Sequence, residues 1–126
     1  MKTIVAGTRD ITDYQKVYDA IFSAPWIITE IVSGGARGVD TLGEQAAAAL
    51  GIPVKVFPAD WDRLKRAAGP IRNGQMAEYA DALIAVWDGS SRGTADMIRQ
   101  ARAHKLRVHL IMPPVPFYEE MDEFGF

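Results

Sequence analysis

Apolar and polar positions alternate between two rhythms along this chain. Lys2-Thr3-Ile4-Val5-Ala6-Gly7 is a short, nearly continuous apolar run and reads as a buried first strand. Tyr14, Val17, Tyr18, Ile21 and Phe22 then recur at helical spacing, which places these aromatics in the core, and Thr12 with Gln15 has capping-box spacing ahead of them. Pro25 and Trp26 mark a loop, and Ile27 to Ser33, rich in β-branched residues, predicts a second strand. Val39, Leu42, Ala46, Ala49 and Leu50 form the stripe of a second helix, with Gly51 as its stop, and Pro53 to Phe57 predicts a short third strand. From Pro58 to Pro70 no period is clean, so a loop of about ten residues is expected, a length that more often signals function than plain connection. A third helix is predicted around Ile71 to Tyr79. Ala82 to Trp87 is almost wholly apolar, as a central parallel strand buried on both faces should be. The last pair is a helix with Met97, Ile98 and Ala101 inward and Asp96, Arg99, Gln100 and Arg102 outward, then a fifth strand over Arg107 to Met112, closed by Pro113-Pro114.

Strands alternating with helices define an α/β class: a Rossmann-like, doubly wound, mainly parallel five-stranded sheet with helices on both faces and right-handed crossovers. Such sheets hold ligands at the carboxyl ends of the strands, where the winding direction changes. The expected division is a single domain over residues 1–112 and an acidic, aromatic tail over 113–126, with Phe117, Met121 and Phe124 on one helical face of the tail. At 126 residues and 48% hydrophobic content, one compact core is affordable and a second domain is not. The chain contains no Cys, and its two His residues, His104 and His109, do not resemble a metal site. No cofactor or metal is expected. Neither the N-terminal apolar run nor Ala82 to Trp87 is long enough for a signal peptide or a membrane span, so a cytoplasmic location without membrane partners is expected.

The net charge of −2 argues against a general nucleic-acid binder. Four of the sixteen acids (Glu119, Glu120, Asp122, Glu123) fall in the last eight residues, which leaves 14 basic against 12 acidic residues in the body up to Tyr118. A mildly basic body suits a small anionic ligand.

The chemistry-bearing stretch is Ser33-Gly34-Gly35-Ala36-Arg37-Gly38-Val39-Asp40, a strand running through paired glycines into a helix. Glycines allow a tight turn and close backbone approach, and the following helix start offers free N–H groups and a positive dipole end to an anion. It is neither the Walker pattern nor the dinucleotide fingerprint. Asp88-Gly89-Ser90-Ser91-Arg92-Gly93-Thr94 is a second turn of this kind. Arg9, Arg37, Arg72 and Arg92 all fall in predicted loops or first helical turns and can converge on the carboxyl edge as phosphate or carboxylate partners. Asp60 ends the third strand, a place from which ribose hydroxyls are reached in related sheets. Trp61 beside it is either a stacking surface for a base or an anchor of the loop.

Gly7-Thr8-Arg9, the Ser33 to Asp40 turn, Phe57-Pro58-Ala59-Asp60-Trp61, Ala68-Gly69-Pro70-Ile71-Arg72-Asn73 and Trp87 to Thr94 together resemble the YspA-like branch of the SLOG superfamily, from about Met1 to Met112. That superfamily includes the DNA-processing protein DprA and the LOG phosphoribohydrolases. The resemblance implies a Rossmann-like sheet and a pocket for nucleotides or nucleotide-derived molecules, floored by the two glycine turns. It also implies pairing of two copies through helices, a homodimer. The ligand-binding candidates are Gly7, Thr8, Arg9, Ser33, Gly34, Gly35, Arg37, Gly38, Asp60, Trp61, Arg72, Asn73, Asp88, Gly89, Ser90, Arg92, Gly93 and Thr94.

Three functions follow as alternatives. One is a binding protein or sensor for a nucleotide-derived small molecule. Another is a LOG-like hydrolase of a nucleotide N-glycosidic bond, with Arg72 matching the family's arginine and Asp40 or Asp88 as the carboxylate. Met97 stands at the family's glutamate position and can move no proton. A third, DprA-like binding of single-stranded DNA, fits the glycine turn but not a short chain that is acidic overall.

Overall fold

The computed structural model describes residues 1–112; segment 113–126, with the expected face of Phe117, Met121 and Phe124, lies outside the described residues. Five parallel strands form one sheet: β1 (Lys2–Gly7), β2 (Glu30–Ser33), β3 (Val54–Val56), β4 (Ala82–Val86) and β5 (Arg107–Ile111), in the order β3-β2-β1-β4-β5. The chain winds outward from β1 to β3, crosses back, and continues from β4 to the opposite edge. β1 and β4 are therefore the neighbours at which the winding reverses, in register from Thr3 opposite Ala82 to Gly7 opposite Val86.

Helices α1 (Tyr14–Phe22) and α2 (Val39–Leu50) cover one face. The other carries α4 (Ala68–Tyr79) and α5 (Arg92–Ala103), reached through the short α3 (Trp61–Leu64) and a 3₁₀ turn at Lys65–Ala67. Alternation along the strands feeds both layers. Ile4, Ala6, Leu83 and Ala85 pack with Met76, Met97 and Ala101, whereas Val5, Ile84 and Val86 pack with Val17, Ile21 and Ala46. Every residue of β4 is buried, which is why its sequence has no polar phase.

Several expected details shift. β2 begins at Glu30 rather than Ile27, because the residues before it meet the chain start: the Met1 ammonium donates to the Ile27 carbonyl (2.7 Å) and Thr29 N–H to the Met1 carbonyl (3.1 Å). β3 is confined to Val54–Val56, an exposed edge. The capping box of Thr12 and Gln15 does not form; Asp13, an equally good acceptor one residue later, caps α1 through the Lys16 N–H (3.2 Å), and Gln15 donates to Asp19. Phe22 is 72% exposed. Each i+4 step turns a side chain by about 40° around the axis, so the row Tyr14, Tyr18, Phe22 drifts off the buried face of Val17, Ala20 and Ile21. In α2, Ala47 is buried and Ala49 exposed, since the inward face is centred on Gly43, where a Cβ would lie 2.8 Å from Val5.

The segment expected as a ten-residue loop is mostly helical. Asp60 caps α3 by accepting from the Arg63 N–H (3.3 Å), and α4 starts at Ala68, with Pro70 in its first turn. First-turn N–H groups have no intrahelical partner, so proline costs nothing there.

Candidate functional site

Where β1 and β4 end, the sheet opens into a cleft of about 600 Å³. Its walls come from the end of β1 (Ala6, Gly7), the start of α2 (Asp40), the inner side of α4 (Arg72, Asn73, Met76) and the first turns of α5 (Arg92 to Met97). Trp61 and Pro70 close one side. Four arginines line it, Arg9, Arg72, Arg92 and Arg99, together with two acids, Asp40 and Asp96.

Glycines bring these walls together. A Cβ on Gly7 would sit 2.1 Å from the Val86 carbonyl oxygen, so only glycine lets the end of β1 lie against β4. Gly38 has a φ of +79°, and a Cβ there would meet the Arg9 backbone at 2.4 Å; that glycine seats the β1–α1 loop on the β2–α2 turn. Gly34 is the platform for the charged pair. Its carbonyl accepts from Arg72 Nη1 (2.6 Å), and a Cβ would lie 2.5 Å from that nitrogen and 2.9 Å from Asp40 Oδ2.

Arg72 is nine-tenths buried and held at two atoms, Nη1 by Gly34 and Nε by Asn73 Oδ1 (3.1 Å). Asn73 Nδ2 in turn donates to Asp96 Oδ2 (2.9 Å) and to the Gly93 carbonyl (3.3 Å). Asp96 also accepts from Gln100 Nε2 (2.9 Å) and pairs with Arg99. One chain of hydrogen bonds therefore ties the β2–α2 turn, α4 and α5 to the orientation of a single guanidinium. Burial pushes the Arg72 pKa below its ordinary value; Asp40 opposes this and Arg9 adds to it. The group stays charged at neutral pH.

Asp40 is the other buried ion. Burial raises its pKa to about 6, with Glu44 acting in the same sense, while the Ala36 N–H on Oδ2 (3.3 Å), Arg72 and Arg9 pull it down. Asp40 and Arg72 attract each other without forming an ion pair; among the described residues the two ion pairs are Asp60–Arg63 and Asp96–Arg99.

The start of α5 presents backbone donors. Its N-cap, Ser91, makes no side-chain capping bond, and a Cβ on Gly93 would meet nothing within 4 Å, so this turn is open. Twelve residues of helix behind it direct a positive dipole end the same way.

Of the residues singled out in the sequence, Gly7, Arg9, Asp40, Trp61, Arg72, Asn73, Arg92, Gly93 and Thr94 line the cleft. Trp61 is half exposed there, with Gly69 close to its ring. Thr8, Ser33, Gly34, Gly35 and Gly38 are outside the lining; the first three are buried and Gly35 is exposed. Ser33 Oγ accepts from the Gly35 N–H (3.0 Å) and donates to Glu44, and Thr8 Oγ1 accepts from the Asp88 N–H (3.1 Å). Arg37 is exposed and does not line the cleft; Arg99 stands among the four arginines in its place. Asp60 is engaged by Arg63, which holds its carboxyl below the usual range, and it lies outside the lining. Asp88, with Gly89 and Ser90, forms a turn beside the cleft. The N–H groups of Ser90 and Ser91 bind its Oδ1 (2.8 and 2.9 Å) and lower its pKa, leaving Asp40 and Asp96 as the lining carboxylates.

Asp96 corrects the sequence reading most. Expected on a solvated face, it is buried, because the flank of α5 that carries Asp96 and Gln100 packs on α4 instead of facing water. Arg99, Met76, Ser91 and Ala36 also line the cleft without having been singled out. Met97 sits in the lining as a buried apolar side chain. Among the described residues, no group of His, Cys, Asp and Glu is arranged to hold a metal, and no helix is long and apolar enough to cross a membrane.

A cleft at the winding reversal of an all-parallel sheet, built on glycine turns, defines a Rossmann-like α/β domain. Residues 1–64 match the family described as YspA, cpYpsA-related SLOG family, and the chain belongs to that family. In fold it is similar to the X-ray structure of DNA processing protein A (DprA) from Streptococcus pneumoniae, with a TM-score of 0.75 at 18% identity. That alignment covers 98% of this chain and 56% of the DprA chain, so this chain spans little more than half of that protein's length. No curated protein matches the chain.

Proposed function

We propose that the chain binds a nucleotide-derived small molecule in the cleft, with its anionic group on Arg72, Arg92 and the first turn of α5. The observation that carries this reading is the state of Arg72. A buried guanidinium is costly unless its donors are used, and here Nε and Nη1 are fixed by protein while Nη2 bonds to no described residue. No side-chain nitrogen or oxygen is both buried and unpartnered among the described residues, so Nη2 is accessible in the cleft that Arg72 lines. An anion placed there meets a preoriented donor, the uncapped N–H groups of α5 and the charge of Arg92. Trp61, Pro70 and Met97 supply apolar surface for a base, and the volume falls within the range of small-molecule sites.

The test is a thermal-shift panel of nucleoside monophosphates, ADP-ribose, NAD and cyclic nucleotides on wild type and on Arg92→Ala. Arg92 is exposed, so its loss leaves the fold intact. A ligand at a hundred times its Kd stabilises the fold by about 2.7 kcal/mol, and the shift should shrink in the variant. No shift anywhere in the panel would defeat the reading.

Asp40 favours a second reading, hydrolysis of an N-glycosidic bond. It is a carboxyl in the cleft lining whose pKa is about 6, the kind of group that moves protons near neutral pH. Release of free base from a bound nucleotide, abolished by Asp40→Asn, would establish it; a bound nucleotide recovered intact after prolonged incubation would remove it.

A further inference from the structure

Asp40 and Arg72 are packed on the same glycine yet leave complementary atoms unused. Gly34 carries both groups: with no Cβ in the way, the guanidinium and the carboxylate each lie against its Cα. Each is then anchored at one side. Arg72 is fixed through Nε and Nη1, and Asp40 through Oδ2, which accepts from the Ala36 N–H at 3.3 Å. The remaining atoms, Arg72 Nη2 and Asp40 Oδ1, make no hydrogen bond to any described residue, and neither is a sealed, unsatisfied atom. Both residues line the cleft. The result is one strong donor and one strong acceptor on two side chains that share Gly34, each anchored through its other atoms and not spent on the other, since they form no ion pair.

A simple anion with no proton to give, such as sulfate, satisfies only the donor and is repelled by the acceptor. A group that carries negative charge and, close to it, an O–H satisfies both. Among nucleotide-derived molecules that description fits a ribose phosphate, whose ring hydroxyls are donors near the phosphate ester. We propose that Asp40 and Arg72 together read a hydroxyl beside an anionic group, so that the cleft takes ribose phosphates in preference to their deoxy counterparts. The inference rests on the binding reading above and adds to it the identity of the sugar.

The surroundings fit the assignment. The groups that face Asp40 are Arg72 from α4, Arg9 from the β1–α1 loop, and Glu44 one turn along α2. The two cations favour the ionised, accepting state of the carboxyl. Glu44 is itself occupied by the Ser33 hydroxyl (2.7 Å), so Asp40 is the carboxylate left to meet a ligand donor at this end of the cleft. At the opposite wall Asp96 already accepts from Asn73, Gln100 and Arg99 and has little capacity left.

The experiment is a calorimetric titration of wild type, Asp40→Asn and Asp40→Ala with ribonucleoside monophosphates and their 2′-deoxy and 3′-deoxy forms. A hydrogen bond to a charged group discriminates by about tenfold or more, so at least one deoxy form should bind wild type about tenfold weaker than its ribo parent. The gap should fall to about threefold in Asp40→Asn, which keeps an oxygen for the Ala36 N–H, and should vanish in Asp40→Ala. Ribo and both deoxy forms binding wild type equally, or a gap that persists in Asp40→Ala, would overturn the inference while leaving the anion site standing. Failure of every nucleotide to bind folded wild type would overturn the binding reading, and this inference with it.

Discussion

Replacing Asp40 by Asn should stabilise the protein, and by an amount that depends on pH in a defined way. The carboxyl has an ordinary pKa of 3.8 and is raised to about 6 in the folded chain, chiefly by burial. That displacement corresponds to about 3 kcal/mol of preference for the neutral form. Between these two values the folded state holds a proton that the unfolded state has released, so stability falls as pH rises through this window. Above about pH 6 the whole cost is present; below about pH 4 it is gone. Asn imitates the neutral carboxyl in size and keeps an acceptor for the Ala36 N–H. Urea unfolding of both proteins, followed by circular dichroism from pH 3.5 to pH 7.5, isolates the effect because every other titrating group is shared. The variant should be about 3 kcal/mol more stable at pH 7, with the difference shrinking almost to zero at pH 3.5. A variant no more stable than wild type at pH 7, or a difference that ignores pH, would refute the assignment of Asp40 as a destabilising buried charge. The expected outcome also bears on function. A residue that lowers stability at neutral pH, in a cleft lining, is the kind that stability alone would not retain.

Two glycines, Gly34 outside the lining and Gly93 within it, should respond in opposite ways. Gly34→Ala forces a Cβ within 2.5 Å of Arg72 Nη1, and denaturant titration should show a loss of about 1–3 kcal/mol, accompanied by loss of nucleotide binding. Gly93→Ala meets nothing, so it should leave stability unchanged or raise it by about 0.5–1 kcal/mol while weakening nucleotide binding in calorimetry; unchanged binding would show that no ligand approaches the start of α5. Asp96→Ala removes the acceptor of Asn73 and Gln100 and should cost about 1–3 kcal/mol. If Asp96 positions Arg72 through Asn73, this variant should also broaden or shift the Arg72 Nε–H resonance, a change that a purely structural loss elsewhere would not produce.

Much of the fold was legible because its strands bury both faces and its helices repeat with a clear period. β1 and β4 read as unbroken apolar runs, and the glycine turns after β2 and β4 gave their own positions away. What was hidden has common physical causes. Polar residues packed between two helices look the same in sequence as polar residues facing water, so Asp96 and Gln100 read as a solvated flank. A helical face centred on a glycine has no apolar mark, which moved the stripe of α2 by one column. Pro70 reads as a breaker, although the first turn of α4 accommodates it. In the cleft, residue type pointed to arginine-rich anion chemistry, but spacing along the chain could not tell which arginines reach the floor. Arg37 lies in the glycine turn and is exposed, whereas Arg99, two turns into α5, lines the wall. By sequence Gly34 offers a surface for ligand approach; in the fold the space of its missing Cβ is taken by Arg72 and Asp40.

The most direct check of the central claim is nitrogen–proton correlation spectroscopy of the labelled chain titrated with a ribonucleoside monophosphate. Binding in the cleft should move the amide signals of Gly7, Arg92, Gly93 and Thr94 together with the Arg72 Nε–H, with a common saturation curve, and leave Arg37 in place. A spectrum that does not change, or changes confined to residues away from the ends of β1 and β4, would contradict it.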